Sequence, residues 1–375
     1  MLSSGSDWHE LRRRMTRTAT GALLRHSPAD SQSIASVPGQ TIHRILICRP
    51  NHRLGNLLLL TPLLKELQQI LPDAEVDIVL AGKDGAGLFR TFRNVGHIYT
   101  LSRRMVRHPL QTARIAAQLR RAHYDLVIDP CEGSQSSRWL IAIAHAAQVI
   151  GAPGDTPGAD ARQAPTHMAK WPVYLLRRAL AAPDADYPLL DIQLTPAEQQ
   201  RGQQILHVLT SAGTSLPRVI GVFAEARGAK RYPEAWWLRC IEVLRTQVPD
   251  ARIVEIAPPD GHSRLSARFP NFFSPDIREV ASVISPMMGF LSADCGVMHL
   301  ACASGVPTFG LFSATDIAKY TPYGHGGCAI DTNGQSPEQV AQRVAAAMQT
   351  IQANGTAATP DPARGTSPAR ADGGD

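Results

Sequence analysis

The chain has 375 residues, of which 44% are hydrophobic and 19% charged, and its formal net charge at pH 7 is +6. This length allows two domains with separate cores. No apolar run approaches the roughly 20 residues that cross a bilayer, and the N-terminus lacks the apolar segment of a secretory signal. The six cysteines form no C-x-x-C pair, so neither a zinc site nor a disulfide framework is expected. We expect no metal, no cofactor and a cytoplasmic protein.

Both ends of the chain differ in composition from its middle. Residues 1–40 form a polar lead whose first turns carry Arg12, Arg13, Arg14, Arg17 and Arg25. Such a segment predicts either a solvated, largely disordered lead or a basic arm that meets anionic lipid, with nucleic acid as a further alternative. Residues 353–375 are mainly Ala, Gly, Pro, Thr and Asp, which build no core, so a disordered tail is expected there.

Strand and helix patterns alternate in the first half of the chain. The predicted strands cover residues 44–48, 76–80 and 125–129, and the predicted helices cover residues 57–70, 110–121, 136–147 and 171–181. Residues 151–165 are rich in Gly and Pro and are predicted to form a loop. Residues 183–188 are the expected linker.

The same alternation resumes after the linker. Thr195 and Pro196 predict a helix start, with Thr at the N-cap and Pro at the first helical position. The predicted strands cover residues 219–223, 252–256, 288–292 and 308–312, and the predicted helices cover residues 233–247, 277–285 and 337–351.

This β-then-α alternation predicts the α/β class, with helices on both faces of parallel sheets. We expect two Rossmann-like domains, residues 41–182 and 183–352, that face each other across an interdomain cleft. Ligands in such sheets lie at the carboxyl ends of the strands, so the cleft is the expected site.

The most informative segment is the elbow Asp294-Cys295-Gly296, where a predicted strand ends and a helix begins. Unpaired backbone N–H groups at a helix start suit an anion such as a diphosphate. A carboxylate at Asp294 would repel phosphate but would bind sugar hydroxyls beside it, so a nucleotide-sugar site is suggested. The alternatives are a plain helix cap for Asp294, a packed side chain for His299 and a structural role for Cys295.

Two further loops join a predicted strand to a predicted helix. In residues 49–56, Gly55 permits close backbone approach and Asn56 is a natural N-cap, so a capped turn is the alternative to a functional loop. In residues 223–237, Lys230 and its neighbouring arginines place positive charge at the carboxyl edge of the second sheet. A diphosphate leaving group needs such charge, whereas the alternative is a solvated basic loop.

The loops carry four sequence motifs in a fixed order. Residues 230–237 (KRYPEAWW) are similar to K-x-W-P-x-x-x-W, and residues 292–301 (SADCGVMHLA) to N-D-S-G-P-M-H-L-A. Residues 312–316 (FSATD) with 321–324 (TPYG) resemble F-G-P-T-D and its trailing P-Y-G. Residues 53–56 (RLGN), followed by Thr61 and Pro62, resemble R-x-G-D and apolar-T-P-x-L more loosely. Between about residues 43 and 350 this pattern resembles glycosyltransferase family 9, the ADP-heptose:lipopolysaccharide heptosyltransferases.

The resemblance implies a GT-B fold, an acceptor on the N-terminal domain, an ADP-sugar on the C-terminal domain, and inversion at the anomeric centre without a metal. On that model Lys230 neutralises the diphosphate, to which Cys295 and Gly296 donate backbone hydrogen bonds. Asp294 and His299 hold the donor sugar and its loop.

The resemblance also implies partners and a location. Thr315 and Asp316 would shape the nucleotide end of the site. The partners would be an ADP-sugar donor and a lipopolysaccharide or lipid-linked acceptor of the bacterial cell envelope, and no nucleic acid. The location would be cytoplasmic, with peripheral contact at the inner face of the inner membrane as an added alternative. The candidates to meet acceptor phosphates are Arg103, Arg104, Arg107 and His108.

Two departures from the family pattern leave alternatives open. The aspartate that would act as general base is Asn56 here, next to Arg53 and Gly55 in the loop, and a carboxamide accepts no proton at neutral pH. Either His52 serves as the base, or Asn56 only orients the acceptor, or the chain is a catalytically silent nucleotide-sugar-binding protein. The family's Gly-Gly turn is replaced by residues 257–261 (APPDG), which leaves the nucleotide and the sugar open.

Overall fold

The structure is a computed structural model and describes residues 41–103, 107–130, 135–151, 164–210 and 218–356. The predicted basic lead, the chain after residue 356 and most of the 151–165 loop lie outside these residues, as does Arg104. Within the described ranges, no helix is both long and apolar enough to cross a membrane.

The N-terminal half forms a five-stranded parallel sheet with strand order β3-β2-β1-β4-β5. Its strands are β1 (Arg44–Arg49), β2 (Glu75–Ala81), β3 (Val95–Leu101), β4 (Leu126–Ile128) and β5 (Gln148–Ile150). Its helices are α1 (Leu54–Leu58), α2 (Thr61–Ile70), α3 (Pro109–Ala122), α4 (Gln135–Ala144) and α5 (Trp171–Ala179), with a 3₁₀ segment at Lys83–Phe89. Because β1 is central, the loop after it lies where the strand order reverses.

The C-terminal half forms a six-stranded parallel sheet with strand order β11-β10-β9-β6-β7-β8. Its strands are β6 (Val219–Phe223), β7 (Arg252–Ile256), β8 (Asn271–Phe272), β9 (Gly289–Ala293), β10 (Thr308–Phe312) and β11 (Gly327–Asp331). Its helices are α6 (Pro196–Thr210), α7 (Glu234–Gln247), α8 (Ile277–Ile284), α9 (Gly296–Ala303), α10 (Ile317–Tyr320) and α11 (Pro337–Thr356), with a 3₁₀ turn at Gly228–Lys230. Two parallel sheets covered by helices confirm the predicted α/β class.

The helix predicted over residues 57–70 is two helices, α1 and α2, separated by a short turn. Pro62 lies in the first turn of α2, where its missing N–H costs no intrahelical bond. The Thr61 hydroxyl donates to the Leu58 carbonyl at 2.8 Å and so satisfies a carbonyl at the end of α1. Apolar periodicity runs through both helices and therefore does not mark the break. At the other end of the chain, α11 reaches Thr356 rather than the predicted residue 351.

Four strands were not predicted: β3, β5, β8 and β11. All four are edge strands, β3 and β5 in the first sheet and β8 and β11 in the second. Only the end of β3 is buried, and β8 has two residues. An edge strand contacts one neighbour instead of two, so it lacks the continuous apolar run by which buried strands are recognised.

One hydrophobic cluster and one buried ion pair join the two halves, while each half also has a cluster of its own. The largest core cluster includes residues from both sheets, such as Ile45 of β1 and Val219 of β6. Arg278 of α8 is fully buried and donates to the carbonyls of Leu88, Ile192 and Gln193 at 2.8–3.2 Å.

The same guanidinium pairs with Glu198, and this pairing is the main reason why the pKa of Glu198 lies far below its usual range. Glu198 also completes the predicted helix start: its amide donates to the Thr195 hydroxyl at 3.2 Å and its carboxylate accepts from the Thr195 amide at 2.8 Å. Arg278 and Glu198, which together we call the strut, therefore join the N-terminal half, the segment just before α6 and the C-terminal half.

Candidate active site

The N-termini of α1 and α9 meet at the junction between the two domains, and both contacting residues are glycines. A Cβ placed on Gly296 would lie 2.9 Å from the amide nitrogen of Gly55 and 2.9 Å from the Cβ of Leu54. A Cβ placed on Gly55 would lie 2.9 Å from Cδ2 of His299. Real Cβ atoms do not come this close, so both positions require glycine for this approach. The loop after β1 and the elbow after β9 therefore converge, as expected for an interdomain site.

Beside this contact, Lys230 and Asp294 form an ion pair. Lys230 ends the 3₁₀ turn that follows β6, and its Nζ donates to Oδ2 of Asp294 at 2.5 Å. Asp294 follows β9 and is 5% exposed, whereas the Lys230 side chain is 35% exposed. The N-cap of α9 is Cys295, so Asp294 does not cap the helix and that alternative is wrong. Lys230, predicted to bind the diphosphate, and Asp294, predicted to bind the sugar beside it, thus contact each other.

His299 lies on the first turns of α9, beneath Gly55. It is 3% exposed, and its Nδ1 has no hydrogen-bond partner among the described residues. Burial lowers the pKa of His299 to about 4, although the nearby Asp294 carboxylate opposes the shift. His299 is therefore neutral at neutral pH, and its ring centroid lies 6.5 Å from that of Tyr320. A buried ring nitrogen without a partner is unusual. The edge of the ring that faces Gly55 is formed by Cδ2 and Nε2.

Cys295 has extended backbone geometry at the N-cap, and its Sγ lies 3.4 Å from Oγ of Ser292. Burial raises the pKa of this thiol. A thiol with a raised pKa carries little thiolate, which is the nucleophilic form. The geometry therefore favours the structural alternative over a nucleophilic cysteine.

Asn56 is the third residue of α1, and the N-cap is Arg53, so the prediction that Asn56 caps the helix is wrong. The helix begins earlier because the Asn51 side chain accepts a hydrogen bond from the amide of Arg53 at 2.9 Å and turns the chain there. Arg53 is exposed and Asn56 is half-buried. His52 is also exposed and lies beside Gly82 and the Arg103 side chain, at the carboxyl end of β2.

The loop between β10 and α10 contains the half-buried Thr315 and the exposed Asp316. Asp316 is the N-cap of α10, and its Oδ1 accepts from the amide of Ala318 at 3.0 Å. The loop contacts the Lys230 turn, because the Ser313 hydroxyl donates to the Ala229 carbonyl at 3.2 Å. The structure thus brings both motif segments to one edge of the second sheet and gives Asp316 a capping role.

His167 also joins the domains and was not predicted from the sequence. Its Nε2 lies 3.0 Å from the Thr321 carbonyl, and its Nδ1 accepts from the amide of Ala169 at 3.2 Å. Nε2 must then carry the proton, and burial lowers the pKa of this histidine. Next to it, the Met168 amide donates to the Lys319 carbonyl at 3.1 Å. A single histidine in a loop carries no sequence pattern that would have identified it.

The described residues contain no cluster of three or more His, Cys, Asp or Glu side chains arranged as metal ligands. A cavity of about 320 Å³ lies between the segments after β6 and β7, and neither Lys230 nor Asp294 lines it. In its lining, Glu225 accepts from Arg231 at 2.6 Å and from Arg264 at 2.5 Å. The cavity is therefore distinct from the site where α1, α9 and the Lys230–Asp294 pair converge.

Comparisons with known proteins agree with this architecture. The family model described as glycosyltransferase family 9 (heptosyltransferase) matches residues 270–348, which include the elbow and α9. A lipopolysaccharide heptosyltransferase 1 from Pseudomonas aeruginosa is 26% identical over 221 residues, which span 56% of this chain and 60% of that protein.

Solved structures match over most of the chain. The glycosyl transferase family 9 protein from Veillonella parvula superposes with a TM-score of 0.66 at 15% identity, over 84% of this chain and 99% of that one. The E. coli heptosyltransferase WaaC with ADP superposes with a TM-score of 0.61 at 23% identity, over 83% of this chain and 99% of that one. These matches show the fold. The chain therefore shares the fold of these glycosyltransferases, with two Rossmann-like domains in the GT-B arrangement, and its residues 270–348 are similar to the glycosyltransferase family 9 model.

Proposed function

We propose that this chain is an inverting, metal-independent glycosyltransferase. It moves a heptose-like sugar from an ADP-sugar to a lipopolysaccharide core or a related cell-envelope acceptor. The donor binds at the second sheet, and the acceptor binds at the carboxyl edge of the first. The similarity to a lipopolysaccharide heptosyltransferase and to a heptosyltransferase solved with ADP supports this choice of donor and acceptor.

The observation that carries the proposal is the convergence of α1 and α9 beside the Lys230–Asp294 pair. Transfer from a nucleotide-sugar needs positive charge at the leaving diphosphate and a second domain that brings the acceptor to the same point. Lys230 supplies the charge, and its 2.5 Å contact shows that its ammonium reaches the elbow. Asp294 lies one residue before the helix N-cap, where it would accept hydrogen bonds from sugar hydroxyls.

The acceptor hydroxyl must also lose a proton. Asn56 lies at the junction as a half-buried amide, so it would orient the acceptor and not deprotonate it. His52 is the candidate base on the same loop. If the acceptor hydroxyl instead loses its proton late and to solvent, neither Asn56 nor His52 needs to act as a base.

Transfer would be tested by incubating the purified full-length chain with ADP-heptose and a truncated core acceptor, with mass spectrometry of the acceptor as readout. The proposal predicts an added heptose and release of ADP in equal amounts. ADP binding without any transfer would instead favour the catalytically silent binding protein. The chain could also fail to bind or use ADP-heptose but bind and use another nucleotide-sugar. That outcome would support the proposed reaction type and replace the proposed donor.

A further inference from the structure

The chain between Asp84 and Asp125 contains no acidic residue. It carries eight arginines: Arg90, Arg93, Arg103, Arg104, Arg107, Arg114, Arg120 and Arg121. The chain as a whole has 38 basic and 32 acidic residues, so this segment is far more basic than its surroundings. Most of it forms β3 and α3, on the N-terminal domain.

Helix α3 presents two different sides. Ile115 and Leu119 are buried against the first sheet, whereas Leu110 is 86% exposed. Arg114 and Arg121 are also exposed and lie on the same side as Leu110, because residues four and eleven positions apart align on a helix. We call Leu110, Arg114, Ala117, Gln118 and Arg121 the outer face of α3.

The positive charge of this face is not compensated within the described residues. Neither Arg114 nor Arg121 forms an ion pair there, and neither do the adjacent Arg107 and Arg120. By contrast, Arg239 on α7 pairs with two carboxylates, those of Glu242 and Glu338. Unpaired cations on one surface leave a positive field that attracts an extended anionic surface.

The orientation of α3 links this face to the candidate site. In a parallel sheet, a crossover helix runs antiparallel to the strands, so the first turn of α3 lies at their carboxyl edge. Leu110 is in that first turn, and the loop after β1 ends at the same edge. A flat surface against α3 would therefore lie next to the expected acceptor side of the cleft.

We propose that the outer face of α3 docks on a lipid bilayer that carries anionic headgroups. Leu110 enters the interfacial region, and Arg114 and Arg121 face the headgroup phosphates. A bilayer fits this face better than single-stranded nucleic acid, because α3 contains no aromatic residue on which bases would stack. The role of the contact rests on the proposed lipid-linked acceptor, but the docking itself does not.

The test uses the full chain and vesicles of phosphatidylcholine with and without phosphatidylglycerol, measured by co-sedimentation. The variant Arg114→Glu/Arg121→Glu should lower the partition coefficient onto anionic vesicles about tenfold or more, since each arginine near such a surface contributes measurably. The matched control is Arg245→Glu/Arg343→Glu, which changes the charge equally at exposed positions of the C-terminal domain. It should lower partitioning much less.

A second variant, Leu110→Ser, removes the apolar contact without a charge change and should lower partitioning onto anionic vesicles several-fold. Equal losses in the two double variants, or unchanged partitioning in both α3 variants, would overturn the proposal. A single-stranded RNA oligonucleotide is titrated in parallel, and α3 variants that lose RNA binding while keeping vesicle binding would also overturn the proposal.

Measuring sugar transfer to a soluble acceptor fragment distinguishes a failure of bilayer docking from a failure of the proposed transferase function. The α3 variants should retain that turnover while losing activity on an acceptor embedded in vesicles. A chain that binds anionic vesicles through α3 yet transfers no sugar would contradict only the proposed function.

Discussion

Lys230 and Asp294 are 64 positions apart in the chain and contact each other at 2.5 Å. An arriving diphosphate would therefore compete with a carboxylate for the same ammonium. Because the Lys230 side chain is 35% exposed, solvent and ligand both reach it. The ion pair holds the ammonium at the elbow before any donor binds, and it sets the charge that the donor meets.

Replacing Lys230 by Ala should weaken ADP binding. The lost charge-assisted contact amounts to roughly 1.5–3 kcal/mol, which is about ten- to a hundredfold in Kd. Isothermal titration calorimetry with ADP measures this directly, and Arg245→Ala is the control because Arg245 is an exposed cation on α7, remote from the elbow. Equal ADP affinity in parent and Lys230→Ala would remove Lys230 from the donor site.

Three variants at two positions test which group removes the proton of the acceptor hydroxyl: His52→Ala, Asn56→Asp and Asn56→Ala. If His52 is the base, its loss abolishes turnover and leaves ADP binding intact, since a neutral imidazole can accept the proton of the acceptor hydroxyl. A silent parent that gains turnover as Asn56→Asp would identify a degenerate site. Full activity of His52→Ala together with an inactive Asn56→Ala would show that Asn56 orients the acceptor. Turnover assays and ADP calorimetry are run side by side.

The positions of individual site residues could be predicted from the sequence where the end of a strand could be predicted. Lys230, Asp294 and Gly296 follow strands whose buried interiors are clear in the sequence, so their place at a carboxyl edge was predicted. Their pairing was not, because nothing local relates two residues so far apart. Asn56 was placed at a cap because the competing turn at Asn51 has a side-chain hydrogen bond that the sequence does not reveal.

At the scale of elements, the approach of α1 and α9 depends on two glycines. Gly55→Ala would put a methyl group 2.9 Å from Cδ2 of His299, so the helices must separate or His299 must move. We expect a loss of about 1–3 kcal/mol in the free energy of unfolding, as for other overpacked sites. Urea unfolding measures it.

Gly87→Ala is the matched control, since a Cβ at Gly87 meets nothing within 4 Å. It should unfold like the parent. Parent-like stability of Gly55→Ala would mean that the two helix ends do not stay in contact in solution.

Burial of His299 makes stability depend on pH. Its pKa is about 4 in the folded chain, against about 6.5 when unfolded, so the unfolded state takes up the proton first as the pH falls. The contribution is fully present above about pH 6.5 and is lost progressively down to about pH 4, by roughly 2–4 kcal/mol. Urea unfolding at several pH values should show this slope in the parent and a flatter one in His299→Gln. Identical slopes would contradict the assignment.

The sequence predicted central elements better than peripheral ones. Strands β6, β7 and β10 have the predicted bounds, because a strand between two neighbours is buried along most of its length and is therefore mainly apolar. The edge strand β3 begins with half-exposed and exposed residues, and its pattern resembles a loop. The break between α1 and α2 could not be predicted from hydrophobic periodicity, because leucines precede and follow it without interruption of the apolar pattern.

At the scale of the whole molecule, Arg278 joins the domains through buried hydrogen bonds. Arg278→Met should lower the free energy of unfolding by about 3–5 kcal/mol, because it leaves Glu198 without its main partner and carbonyls without donors. The control is Arg201→Met on α6, whose pair with Glu279 is 4.0 Å long and whose side chain is 66% exposed. It should change stability by less than about 1 kcal/mol. Equal effects of the two variants would show that the strut is not stabilising.

The core that runs through both sheets has a thermodynamic consequence. Two domains with separate cores would melt independently, each with its own enthalpy, and either would survive the loss of the other. Here Ile45 of one sheet and Val219 of the other belong to the same buried cluster, so unfolding one half exposes apolar surface on its neighbour. Each half also has a cluster of its own, but we expect the shared cluster to make the two halves unfold as one cooperative unit. A calorimetric scan of this chain should accordingly show one heat-absorption peak whose van't Hoff enthalpy equals its calorimetric enthalpy.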